Sequence, residues 1–202
     1  EEEFTNCLDG AGVAFLFARS HHSAMRHVAP VRARLGIRTI FNLLGPLTNP
    51  AGARRQLLGV FSEQWLEPMA KALLELGAEK AWVVHGVGGM DEISTFGPTK
   101  VVEVSGGQLR SFELHPDEFK LPLAQQDDLR GGSVEHNRDA LLDVLSGKQS
   151  AFADLVTVNA AGALVVSGLA SSLVVGVEMA RGAIEDGRAM HCLEALKRAS
   201  HG

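Results

Sequence analysis

A histidine and two arginines, His22, Arg26 and Arg32, stand close together near the start of the chain. On a helix His22 and Arg26, four residues apart, share a face. Pro30 ends or bends such a helix before Arg32. A guanidinium group offers paired N–H donors that match the two oxygens of a carboxylate or phosphate. Converging with an imidazole, two of them would hold a small aromatic acid or a phosphate. The same residues would serve equally as surface arginines beside a hydrogen-bonded histidine. Residues 10–62 carry seven Arg and no Asp or Glu, +7 within a chain of formal charge −5, so the remainder sums to −12. A stretch without carboxylates inside an acidic protein leaves an approach open to an anion, or forms a solvated basic face.

A second candidate is the pair Asp91-Glu92, which follows His85-Gly86-Val87-Gly88-Gly89-Met90. Adjacent carboxylates on a tight loop are hard oxygen ligands, able to bind Mg²⁺ shared with a substrate's phosphates. An exposed acidic pair at a turn is the plainer alternative. The loop follows an apolar run, which places it at the C-terminal end of a strand, where α/β proteins hold ligands. It is not a dinucleotide fingerprint: Asp91 stands where the third glycine belongs, and no Gly-Lys-Ser/Thr follows. A third candidate contains Gly45-Pro46 and Asn49-Pro50, both strong turn signals. Two prolines around an apolar turn make a rigid wall beside a flat ligand, or simply a structural turn.

These residues need elements to carry them. Residues 56–61 read as a buried strand, followed by a helix over 65–76 with Ser62 as N-cap and Gly77 as its stop. Residues 81–85 read as a second apolar strand entering the glycine-rich loop. Residues 100–104 and 108–114 flank Ser105-Gly106-Gly107 and read as a hairpin. Residues 133–145 have helical spacing. Residues 151–169 are long and almost uncharged; Asp154 and Asn159 interrupt them, so they read as a buried helix rather than a membrane span. Residues 173–200 read as one or two amphipathic helices. Strand, helix, strand and then a hairpin predict an α/β fold, a mixed central sheet flanked by helices.

Composition narrows the function classes. At 202 residues, 46% hydrophobic and 21% charged, the chain has the make-up of a globular protein with a sizeable core. Cys7 and Cys192 are far apart and lack metal-ligand spacing, which opposes a disulfide scaffold or structural zinc and fits a reducing cytoplasm. No segment predicts a membrane partner. Net negative charge and 5% aromatic content oppose nucleic-acid binding through stacked bases.

Residues 35–50, Leu-Gly-Ile-Arg-Thr-Ile-Phe-Asn-Leu-Leu-Gly-Pro-Leu-Thr-Asn-Pro, resemble the central signature of the anthranilate phosphoribosyltransferases. Phe15-Leu16-Phe17-Ala18 before His22, Val31-Arg32 after it, and Met90-Asp91-Glu92 fall in that family's order, and the similarity runs from about Gly10 to the C-terminus. The resemblance implies a nucleoside phosphorylase-like catalytic domain. It also implies transfer of phosphoribose from phosphoribosyl pyrophosphate to the amine of anthranilate, a step of tryptophan biosynthesis. It assigns Arg32 to the anthranilate carboxylate, His22 and Pro46 to the anthranilate site, and Asp91 and Glu92 to Mg²⁺. It names no catalytic acid or base. Arg19 and Ser23 stand where prolines are common, which alters the mouth of the anthranilate channel.

The family's N-terminal helical domain and its Gly-Thr-Gly-Gly-Asp phosphate loop have no counterpart in residues 1–202, and Glu1-Glu2-Glu3 leads almost directly into core-like residues. The expectation is therefore the C-terminal part of the catalytic domain, with little activity alone. The homodimer contact of the complete enzyme is expected in the helical domain. Two other readings differ in what they predict. A fold relative binding nucleic acid through its arginines would show salt-dependent DNA binding. A pyrimidine nucleoside phosphorylase of the same architecture would turn over nucleosides and would not need the 38–50 run.

Overall fold

The computed structural model of the chain describes residues 2–16, 34, 41–49 and 51–200. The chain divides into two compact units, residues 1–52 with 189–202, and residues 53–188. The described helices are α1 (Glu2–Ala11), α2 (Phe41–Leu47), α3 (Leu66–Glu75), α4 (Val134–Leu145), α5 (Ala151–Ser167), α6 (Leu173–Glu185) and α7 (Arg188–Ser200). The strands are β1 (Arg55–Gly59), β2 (Lys80–Gly86), β3 (Thr99–Ser105) and β4 (Gln108–Leu114).

In the larger unit the strands form one sheet in the order β1-β2-β3-β4. β1 and β2 are parallel, with Gly59 opposite Val84; β2–β3 and β3–β4 are antiparallel. The sheet is therefore mixed, as expected. A parallel pair needs a crossover, and α3 supplies it, packing on β2 and β3. Trp82 and Val84 point to the opposite face, into a core shared with Ile93, Val101, Phe119, Val158 and Ala161. α5 covers that face, packing on β1, β2 and α6. Each fully buried aliphatic side chain of this kind contributes about 1.5–3 kcal/mol.

The expected hairpin is β3–β4, closed at Gly106-Gly107 with Ser105 opposite Gln108. α3 starts later than its expected first residue, Trp65. Ser62 heads a 3-10 turn, Glu63–Trp65, its hydroxyl makes no capping bond, and the α-helix begins at Leu66. α5 is apolar around most of its circumference, with Asp154 and Asn159 the interruptions, which marks a largely buried helix. Its N-cap is Ser150, whose hydroxyl accepts from Ala153 N–H at 3.1 Å. Residues 173–200 form two helices, α6 and α7. Among the described residues no helix is long and apolar enough to cross a membrane.

In the smaller unit the Cys192 thiol of α7 faces the Ala11 carbonyl at the end of α1, at 3.3 Å. Both cysteines are free. Phe15 and Leu16 carry no helix, and Phe15 is 78% exposed. Gly45-Pro46 does not form a turn between elements: both residues lie inside α2. Proline lacks an N–H, so the helical ladder stops near it. The chain then closes through Thr48 N–H to Gly45 O at 3.1 Å. Asn49 begins the second expected turn, its Oδ1 accepting from Ala51 N–H at 2.9 Å and its carbonyl from Gly52 N–H at 3.0 Å. Pro50 lies outside the described residues.

Candidate functional site

Because β1 and β2 run parallel, their C-terminal ends lie along one edge of the sheet. The chain leaves β2 through a 3-10 turn, Val87–Gly89, and folds back so that Gly86 N–H donates to Met90 O at 2.8 Å. Asp91 then crosses the end of β1. A methyl group on Gly59 would overlap the Asp91 carbonyl, and one on Gly86 would lie 2.8 Å from the Glu92 carbonyl. The two glycines thus form the floor on which the acidic pair rests. Val60 N–H extends the ladder by one bond, to Val84 O at 2.9 Å. The His85 ring nitrogen Nδ1 lies 2.7 Å from the Val60 carbonyl. A carbonyl only accepts, so Nδ1 carries the proton and ties the segment after β1 to β2.

Beyond the pair the chain re-enters the core. Ile93 is fully buried, and its N–H donates to Asn159 Oδ1 of α5 at 2.9 Å. Asn159 Nδ2 in turn donates to the Ile93 carbonyl at 3.0 Å. Ser94 N–H donates to Thr99 Oγ1 at 2.8 Å, and Phe96 N–H to Ser94 Oγ at 3.1 Å. Asp91 and Glu92 therefore sit between two anchored backbone positions, with both side chains reaching solvent.

Partial burial, and then the neighbouring Asp91 charge, push the Glu92 carboxyl above its ordinary pKa, and among the described residues no basic side chain offsets them. Two carboxylates side by side favour a cation. Hard oxygen donors on a braced loop suit Mg²⁺, which keeps several waters and takes one or two carboxylates from a protein. Among the described residues no third His, Cys, Asp or Glu completes a cluster with the pair.

The other expected site residues divide. Pro46 is half-buried in α2, in the smaller unit, while Asp91 and Glu92 belong to the larger. His22, Arg26 and Arg32 lie outside the described residues. Sequence reasoning missed Asn159 as a partner of the loop. Its signal was a lone amide in the interior of a mostly apolar helix.

Known proteins match the chain along nearly its whole length. An anthranilate phosphoribosyltransferase of Hyphomonas neptunium is 53% identical over 98% of this chain, which spans 58% of that relative. The crystal structure of the Thermus thermophilus anthranilate phosphoribosyltransferase superposes with a TM-score of 0.90 at 44% identity, covering 99% of this chain and 59% of that one. The Saccharomyces cerevisiae enzyme in complex with phosphoribosyl pyrophosphate and Mg superposes with a TM-score of 0.80 at 31% identity, covering 89% and 52%. The chain thus spans little more than half the length of these relatives. Residues 1–190 match the glycosyl transferase family a/b domain, and the mixed sheet, its flanking helices and the sequence identity agree that the chain belongs to this family.

Proposed function

We propose that this chain forms part of an anthranilate phosphoribosyltransferase, which moves phosphoribose from phosphoribosyl pyrophosphate to anthranilate and releases pyrophosphate. The observation that carries this reading is identity of about one residue in two, over 98% of the chain, to a protein of that name. The braced acidic pair supports it independently, because a diphosphate substrate calls for a divalent cation.

In this reading Asp91 and Glu92 hold Mg²⁺. The bound ion would supply positive charge against the pyrophosphate as its bond to the sugar C1 breaks. Arg32 pairs with the anthranilate carboxylate, while His22 and Pro46 line the acceptor site and exclude water. The anthranilate amine is neutral near pH 7, so the protein needs no strong base; its work is to align amine and C1. The free thiols suit a cytoplasmic setting.

The test uses a protein of the relatives' full length that carries this chain. Arg32→Ala should raise the KM for anthranilate far more than that for phosphoribosyl pyrophosphate. Asp91→Asn with Glu92→Gln should weaken the Mg²⁺ dependence of turnover. An absence of phosphoribosylanthranilate formation by the unsubstituted protein would overturn the reading. An unchanged anthranilate KM would remove Arg32 from its role, and an unaltered Mg²⁺ titration would clear the acidic pair of metal binding.

A further inference from the structure

We propose that Asn159 is a positioning residue for the acidic pair: from α5 it clamps the backbone of Ile93 and so sets where Asp91 and Glu92 present their carboxylates to a divalent cation. One amide meets both polar groups of one residue. Its Oδ1 accepts the Ile93 N–H at 2.9 Å, and its Nδ2 donates to the Ile93 carbonyl at 3.0 Å. A third bond, Nδ2 to the Leu155 carbonyl at 2.9 Å, fixes the amide on its own helix. The orientation follows from the partners, since only the oxygen accepts an N–H and only the nitrogen donates to a carbonyl.

The Ile93 side chain is held by the same helix face. Gly162 lies three residues from Asn159 and so faces the same way. A methyl group there would lie 2.7 Å from Ile93 Cδ1. Ile93 is thereby seated on α5 by backbone and side chain together. On the other side of the pair, Met90 is bonded to Gly86. Two consecutive carboxylates between two fixed points have little freedom left to lose when they bind an ion, and that is how preorganisation raises affinity.

The choice of residue is itself informative. A half-buried amide in an apolar helix interior is disfavoured both by helix propensity and by desolvation unless it is fully paired. Leucine would fill the space, yet it would leave the Ile93 N–H and C=O without partners. Asparagine at 159 gives up local preference to hold a point on another element.

This inference rests on the metal reading of Asp91 and Glu92, so its test separates the two. The ¹⁵N-labelled 202-residue chain is titrated with Mn²⁺, a paramagnetic stand-in for Mg²⁺, while the amide signals of Met90, Asp91, Glu92 and Ile93 are followed. Asn159→Leu should raise the Mn²⁺ concentration for half-broadening at Asp91 and Glu92 by about tenfold and speed hydrogen exchange at the Ile93 amide. Val158→Ala, at the fully buried neighbouring position, lowers stability without touching the clamp and should leave the titration unchanged. Asp91→Asn with Glu92→Gln should abolish the local broadening. Should Asn159→Leu fail to fold, Asn159→Ala removes the amide without adding bulk and carries the same expectation.

The proposal is overturned if the Asn159 variant titrates within about twofold of the unsubstituted chain, or if Val158→Ala shifts the titration as far. An unsubstituted chain whose Asp91 and Glu92 signals ignore Mn²⁺ overturns the metal reading and this inference together. That outcome is distinct from one in which the acidic pair responds and Asn159 proves indifferent.

Discussion

Gly59 is the position where a single methyl group does most to the site. Its Cα faces the Asp91 backbone so closely that a Cβ would overlap the Asp91 carbonyl. Backbone cannot rotate away as the end of a side chain can. Gly59→Ala must therefore push β1 and the acidic loop apart, with a loss of about 1–3 kcal/mol. Urea denaturation should show a lower midpoint, and the Asp91 and Glu92 amide signals should move; an unchanged midpoint would refute the close approach. The pair Asp91-Glu92 was visible in the sequence as adjacent carboxylates after an apolar run, a local pattern that an exposed turn would share, and its assignment to Mg²⁺ came from the family resemblance. Gly59 and Asn159 were not, because their roles depend on partners tens of residues away, 66 in the case of Asn159 and Ile93. Glycine has no side chain to signal what it admits, and a lone amide does not name its partner.

Among elements, α6 allows opposite outcomes to be set side by side. Gly176 faces α5, and a methyl there would lie 2.9 Å from the Cα, Cβ and carbonyl oxygen of Ala161. Gly176→Ala should separate the helices and lower stability by about 1–3 kcal/mol. Gly182 on the same helix has nothing within 4 Å of the corresponding position. Gly182→Ala should raise stability by about 0.5–1 kcal/mol through helix propensity alone. Thermal unfolding of both variants checks the pair of signs.

The α5–α6 contact also has a pH dependence. Partial burial raises the Asp154 carboxyl above its ordinary pKa, although Arg181, at 3.7 Å, pulls the other way. The fold therefore favours protonated Asp154. This stabilisation is complete below the ordinary aspartate pKa and is lost as pH rises through the raised value. Asp154→Asn should gain in Tm over the parent as pH rises through that window, and the gain should vanish in acid. Scans of Tm from about pH 3 to about pH 8 span that window and measure it.

The strands and the hairpin were readable because alternation and Gly-Gly are local. The start of α3 was not: Ser62 carries the right side chain but leads into a 3-10 turn. Pro46 misled in the other direction, since a short helix can hold a proline near its end at the loss of one bond.

For the whole molecule, charge distribution separates a small anionic substrate from a nucleic acid. The arginines within residues 10–62 give +7, but they stand in a chain of net −5. A compact diphosphate or carboxylate meets only the charges within about a Debye length, roughly 8 Å in physiological salt. A DNA duplex is long enough to face the acidic remainder as well, and its affinity depends on many simultaneous phosphate contacts. The division of the chain into two units was not legible from composition, because no linker-like segment marks residue 52. The charge contrast itself was plain in the sequence, because net charge needs no fold to be counted. The chain should therefore show no retention on immobilised duplex DNA at about 0.15 M salt. Lowering the salt should produce at most weak retention that free pyrophosphate displaces. Tight DNA binding with a steep salt dependence would instead favour the arginine-rich stretch as a nucleic-acid surface and would count against a small-anion site.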